Sequence, residues 1–200
     1  MPNVREATPA DRAAVVRTVL AAFDRDPAWD FMLGADYDRL APLMAGALFD
    51  QRVVHGTVWV CEDGAAVAMW DAPGRHGSDS EERSAAWHEF HAAAGPVGGE
   101  PLARYDCALS AVEPSAPHWY LGVLATHPDR WGSGLASAVI EAGIARVDED
   151  GLACCLETST VANRGFYARR GFTQSRTVPL DDGPPTWWMT RPASDGQPSA

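Results

Sequence analysis

A chain of 200 residues, 46% hydrophobic and 22% charged, is long enough for one well-packed α/β domain. Its formal charge of −11, with 16 basic against 27 acidic residues, excludes a general phosphate-backbone binder, because nucleic-acid affinity rests on clustered Lys and Arg. No apolar run approaches the ~18–20 residues of a membrane span, so the expected partner is a small molecule, most easily a cationic one, and neither a nucleic acid nor a membrane.

A first strand is predicted over Val4 to Ala7. Thr8-Pro9-Ala10-Asp11 then supplies an N-cap, a proline at the first helical position and an acid at the third, opening a helix to Phe23. Val15, Val16, Val19, Leu20 and Phe23 recur at three- and four-residue steps and form its core-facing stripe. Leu40, Leu43, Met44, Ala47 and Leu48 do the same for a second helix over Tyr37 to Arg52. The segment before it, read as loop, carries Trp29, Phe31 and Met32, which either line a pocket or fill the core.

Thr57 to Glu62 and Ala65 to Trp70 are predicted as an antiparallel pair around Asp63-Gly64, a dipeptide suited to a type I′ turn. Asp71 to Asp79 is predicted as loop, Glu81 to Ala94 as a helix carrying Trp87 and Phe90, and Gly95 to Pro101 as its stop. Ala103 to Val112 suggests another helix, and Glu113 to Pro117 a linker into a strand from Trp119 to Thr126. Next come a glycine loop, a helix, a second strand ending at Leu156-Glu157-Thr158-Ser159, and a short helix bearing Tyr167. Strands over Thr173 to Leu180 and Thr186 to Thr190 close a single domain spanning 1–192, with 193–200 read as a disordered tail.

The four cysteines, Cys61, Cys107 and the adjacent Cys154 and Cys155, have neither metal-ligand spacing nor a disulfide framework, so structural thiols and no metal are expected. Met1 to Glu6 lacks the basic start and apolar core of a secretory signal, which gives the expectation of a cytoplasmic protein.

Chemistry concentrates in the later half. Trp131-Gly132-Ser133-Gly134-Leu135-Ala136 lies where a strand gives way to a helix, so its free N–H groups converge as a pyrophosphate-binding turn requires. A dinucleotide fingerprint fits poorly: the third glycine would fall at Ser137, residues 127–131 delay the first glycine, and the module comes late in the chain. A purely structural glycine turn is the remaining alternative. Arg164, Arg169, Arg170 and Arg176 could meet an anion or form a solvated face.

The order strand, Trp131-x-x-Gly134-x-Ala136, helix, strand, Asn163 and Phe166-Tyr167-x-x-x-Gly171-Phe172 resembles the acetyl-CoA-binding core of the GNAT N-acetyltransferases. Val58-Trp59-Val60 with Asp63-Gly64-Ala65, Leu156-Glu157-Thr158-Ser159 and Thr186-Trp187-Trp188-Met189 resemble the puromycin N-acetyltransferases in particular. The resemblance implies a mixed, mostly antiparallel sheet with splayed central strands flanked by helices. It further implies that the backbone of Leu124, Ala125 and Thr126 pairs with the pantetheine arm of acetyl-CoA. In the same reading, amides of Gly132, Ser133, Gly134, Leu135, Ala136 and Ser137 hold the pyrophosphate, Asn163 contacts the pantetheine, and Tyr167 is the general acid for the departing thiolate. Trp131 departs from the family's usual Gln or Arg, with Arg130 a candidate for the missing charge.

Acyl transfer to an amine also needs a neutral nitrogen, a stabilised oxyanion and a proton for the sulfur. Tyr167, with an unperturbed pKa of about 10, suits the last, the alternative being a packing role beside Phe166. Glu157 at a strand end, and His118 before the central strand, are candidate bases or structural groups. Trp29, Phe31, Trp87 and Trp119 are the candidate substrate-pocket residues. Three functions stay open: a small-amine acetyltransferase acting as monomer or homodimer, an acetyltransferase of protein N-termini or lysines, and a non-catalytic acyl-CoA-binding protein.

Overall fold

The computed structural model describes residues 2–77 and 80–194, so Met1, Ser78 and Asp79 of the predicted loop, and 195–200 of the predicted tail lie outside the described residues. Seven strands form one sheet: β1 (Val4–Glu6), β2 (Val58–Cys61), β3 (Ala66–Asp71), β4 (His118–Thr126), β5 (Ala153–Thr158), β6 (Thr173–Thr177) and β7 (Trp187–Arg191). Their spatial order is β1-β2-β3-β4-β5-β7-β6, antiparallel at every neighbouring pair except the parallel β4–β5. The α/β fold with a mostly antiparallel sheet is therefore as expected.

One face of the sheet carries α1 (Arg12–Ala22), α2 (Pro27–Leu33), α3 (Tyr37–Val53), α4 (Glu81–Gly98) and α5 (Glu100–Ser110). The other carries α6 (Leu135–Asp150), whose Leu135, Val139, Ile140 and Val147 pack on Trp59, Trp70 and Leu156. The short α7 (Val161–Ala168) follows β5. Two cores, one on each side, are what a sheet with alternating inward side chains must build when helices cover both faces.

Local signals account for most element ends. The Asp11 carboxylate accepts the Thr8 backbone N–H at 2.8 Å, closing the expected capping box, and also pairs with Arg5 at 2.6 Å. At the hairpin, Glu62, Asp63 and Gly64 all have positive φ, and turn bonds run from Gly64 N–H to the Cys61 carbonyl and from Ala65 N–H to the Glu62 carbonyl. The expected turn thus begins one residue early. Gly95 leaves the helical region (φ 63°, ψ −178°), so the regular part of α4 ends where the glycine was expected to stop it.

One segment read as loop is a helix. Residues 27–33 form α2 because the Asp26 side chain accepts the N–H groups of Ala28 and Trp29 and Pro27 occupies the first helical position. At the other end, Ser194 bonds Asp148 at 2.6 Å beside the Arg191–Asp148 ion pair, so the described residues run two beyond the expected domain limit at 192.

Gly143 shows how tightly α6 seats. A Cβ there would lie 2.2 Å from Nε1 of the fully buried Trp70. Gly143→Ala should therefore cost about 1–3 kcal/mol through overpacking, seen as a melting temperature several degrees below wild type. An unchanged melt would mean that the helix shifts without cost.

Candidate acyl-CoA and amine site

The site originates in a defect of β4. Trp70 pairs with Leu121 and Met69 with Val123, so Gly122 is the extra residue of a β-bulge. A Cβ at Gly122 would sit 2.5 Å from Nη2 of Arg52, so only glycine lets this buried guanidinium approach the strand. Arg52 is held there by Asp71 at 2.6 Å and by the Leu48 carbonyl at 2.9 Å. The bulge also inverts the alternation of β4: Trp119 and Leu121 face α6, as does Leu124, while Tyr120, Val123 and Ala125 face the opposite core.

Beyond the bulge the central strands separate. β4 pairs with β5 only as far as Leu121 with Leu156, whereas Glu157 and Thr158 pair with Trp188 and Trp187 of β7. Among the described residues, the β5-facing edge of β4 from Gly122 to Thr126, including Leu124 and Ala125, has no strand neighbour. An extended acyl-carrying arm can add its own hydrogen bonds at such an edge.

The glycine loop lies just past that edge. Gly132 and Gly134 have φ of 77° and 84°, conformations that side chains disfavour. Among the described residues, the N–H groups of Gly132, Gly134, Leu135, Ala136 and Ser137 have no protein acceptor, while Ser133 N–H reaches the Arg130 carbonyl at 3.3 Å. Five free donors at the start of a 16-residue helix, with open space beside both glycines, fit a pyrophosphate.

Trp131 is 67% exposed and spends its indole N–H on the Thr126 carbonyl at 2.9 Å, so it braces the end of β4. Arg130 is engaged by Glu62. The cation that does reach the loop is Arg170, whose Nη2 lies 2.5 Å from Ser137 Oγ. Arg164 instead bonds Gln174 and lies over Trp187. Gly134→Val forces a β-branched residue to a positive φ at the cradle, so acetyl-CoA affinity should fall by about tenfold or more. A calorimetric Kd equal to wild type would contradict this.

Where β4 and β5 diverge, a cavity of about 140 Å³ opens among α2, α3, α4, α5 and the two strands. Trp29, Trp87, Asn163, Tyr167, Glu157 and Leu124 all line it, together with Asp26, His76, Tyr105, Asp106 and Tyr120. Trp29 packs against Phe23 with ring centroids 4.8 Å apart and planes tilted by 30°, and the Trp87 indole N–H bonds Gln51 at 2.7 Å, so both rings are fixed walls. Phe31 packs on Tyr105, outside the lining. Trp119 also lies elsewhere, on the α6 face, where its indole N–H bonds Asp150 at 3.1 Å. His118, the other candidate base, is absent from this lining and borders a separate outer pocket.

Glu157 is part-buried and accepts the Tyr120 hydroxyl. Burial pushes its carboxyl above the usual range, partly offset by that hydrogen bond. Burial likewise raises Asp26 and Asp106; these three acids border the aromatic-walled cavity together with Arg52 and Arg83. Tyr167 is buried edge-on against Phe166 and Phe172, and its hydroxyl has no protein partner among the described residues. Its pKa is raised, first by burial and then by the charges of Glu157 and Asp26, which keeps the phenol protonated at working pH.

A splayed strand pair, a helix-end donor cradle and an acid-bearing cavity are the parts of a candidate acyl-transfer site. The chain belongs to the acetyltransferase (GNAT) family, whose model matches residues 28–172, and it is an acetyltransferase. It is 24% identical over 186 residues to an uncharacterized N-acetyltransferase of Schizosaccharomyces pombe, covering 85% of this chain and 74% of that one. A structure described as histone acetyltransferase HPA2 and related acetyltransferase, from Corynebacterium glutamicum, is 27% identical, with a TM-score of 0.67 over 100% of this chain and 99% of that one. The polyamine N-acetyltransferase of Drosophila melanogaster shares the fold at 18% identity, with a TM-score of 0.64 over 96% and 100% of the two chains.

Proposed function

We propose that the protein transfers the acetyl group of acetyl-CoA to a primary amine of a small molecule. The observation that carries this reading is the cavity at the fork of β4 and β5, which brings Glu157, Tyr167 and the free edge of β4 to one place. Acetyl-CoA supplies an activated acyl thioester. The Gly132 to Ser137 amides, with Arg170 beside them, would hold its pyrophosphate, and Leu124 to Thr126 with Asn163 its pantetheine arm. Trp29 and Trp87 flank the amine's body. Asp26, Asp106 and Glu157 share the cavity with Arg52, which is paired with Asp71, and Arg83, so in this reading it is the acids Arg52 does not engage that offer a cationic acceptor its partner.

In this reading Glu157 accepts a proton from the acceptor nitrogen, and Tyr167 donates its O–H to the departing sulfur. An aminonucleoside of the puromycin type is the specific acceptor suggested by the sequence resemblance, and its acetylation would confer antibiotic resistance. A biosynthetic amine of similar size suits the same cavity. Two of the fold neighbours support the amine class: one is an agmatine N-acetyltransferase and the other a polyamine N-acetyltransferase. A cytoplasmic location remains part of the proposal. Calorimetric titration with acetyl-CoA, followed by thiol release against a panel of amines, tests it. Binding without amine-dependent release would leave a non-catalytic acyl-CoA binder.

A further inference from the structure

The loop after β3 brings His76 to the wall between two cavities. It lines the reaction cavity, and it also lines the outer pocket bordered by Pro73, Glu113 and His118. Its Nδ1 lies 2.9 Å from Glu113 Oε1, and its ring packs against the Tyr120 ring at 3.8 Å between centroids. Nε2 has no protein partner among the described residues. His118 Nε2 stands 3.3 Å from the same Glu113 oxygen without a hydrogen bond to it, so His76 is the histidine this carboxylate orients. The imidazole is thus oriented at one nitrogen by a carboxylate and open at the other, the arrangement of a general base with its orienting group.

We propose that His76 is a catalytic proton acceptor of this cavity, oriented by Glu113 and working beside Glu157. The inference rests on the amine-acetylation reading above. Acetylation of an ammonium group removes two protons from nitrogen, returns one to sulfur and releases one, so two acceptors have work in each turnover. His76 Nε2 takes the first, leaving the electron pair on nitrogen. That pair forms the C–N bond, and Glu157 takes the second proton. The C–S bond breaks with its electrons on sulfur, and sulfur is protonated from Tyr167. The phenol regains its proton from the Glu157 side, and His76 discharges its own through the outer pocket. The charged and titratable groups around His76 include Glu113 from the linker, His118 and Tyr120 from β4, Asp106 from α5 and Glu157 from β5, with Arg52 of α3 and Arg83 of α4 lining the same cavity.

The test is kcat/KM for the amine against pH at saturating acetyl-CoA. His76→Gln should lower it by roughly 10²-fold near pH 7, with the deficit shrinking as pH rises and free amine needs no base. Glu113→Gln should give the same pattern at about tenfold, and imidazole in solution should partly restore His76→Ala. Calorimetric binding of acetyl-CoA at the wild-type Kd certifies that each variant is folded. Unchanged kcat/KM would overturn the proposal. So would an equal loss at every pH without imidazole rescue, which would reduce His76 to packing on Tyr120. Failure of the amine-acetylation reading is told apart by the wild type, which would then release no thiol with any amine.

Discussion

Tyr167→Phe is expected to lower turnover by about 10²–10⁴-fold, the usual range for loss of a general acid, while acetyl-CoA binds with nearly its wild-type affinity. The substitution keeps the edge-on contacts with Phe166 and Phe172 and removes only an oxygen that has no protein partner among the described residues. Stability should therefore hold. Because burial and two nearby carboxylates raise the phenol's pKa, Tyr167 itself causes no alkaline loss of activity below about pH 10. Single-turnover thiol release with calorimetric Kd values separates the two effects. Full turnover in the variant would return Tyr167 to a packing role.

Glu157→Gln should also cost about 10²-fold or more in kcat/KM, but without a loss of stability. Burial raises the folded-state pKa of Glu157 above its unfolded value. Linkage then places its stabilising contribution below the unfolded pKa of about 4.3 and removes it as pH rises through the folded pKa. Above that folded pKa the ionised side chain is a net cost. Glutamine still accepts the Tyr120 hydroxyl without that cost, so the variant should melt at or above the wild-type temperature while losing activity. The wild-type acid limb in kcat/KM should fall above the ordinary carboxylate range and vanish in the variant. A variant that melts lower and keeps its activity would remove Glu157 from the chemistry.

The elements most legible in the sequence were those with a local cause. Helix periodicity placed α1 and α3, and the Gly132-x-Gly134 loop marked a helix start at which five amides have no acceptor among the described residues. α2 was missed although its cap, Asp26-Pro27, is present in the sequence, because seven residues hold too little periodicity to stand out beside aromatic side chains. Gly122 was the overlooked signal in β4: a glycine inside an apolar strand marks a bulge, and this one inverts the alternation and leaves Trp119 facing α6. The pairing of Glu157 with Tyr120 and of His76 with Glu113 spans 37 residues in each case, so no local spacing announces either. Arg170 was one of four clustered arginines, and only tertiary packing selects it for the loop.

The most direct test is thiol release on mixing the protein and acetyl-CoA with a panel of small primary amines that includes an aminonucleoside. The expected result is release that saturates with at least one cationic amine and is nearly abolished by Tyr167→Phe. Release no faster than background hydrolysis with every amine, from protein that binds acetyl-CoA, would contradict the proposed activity.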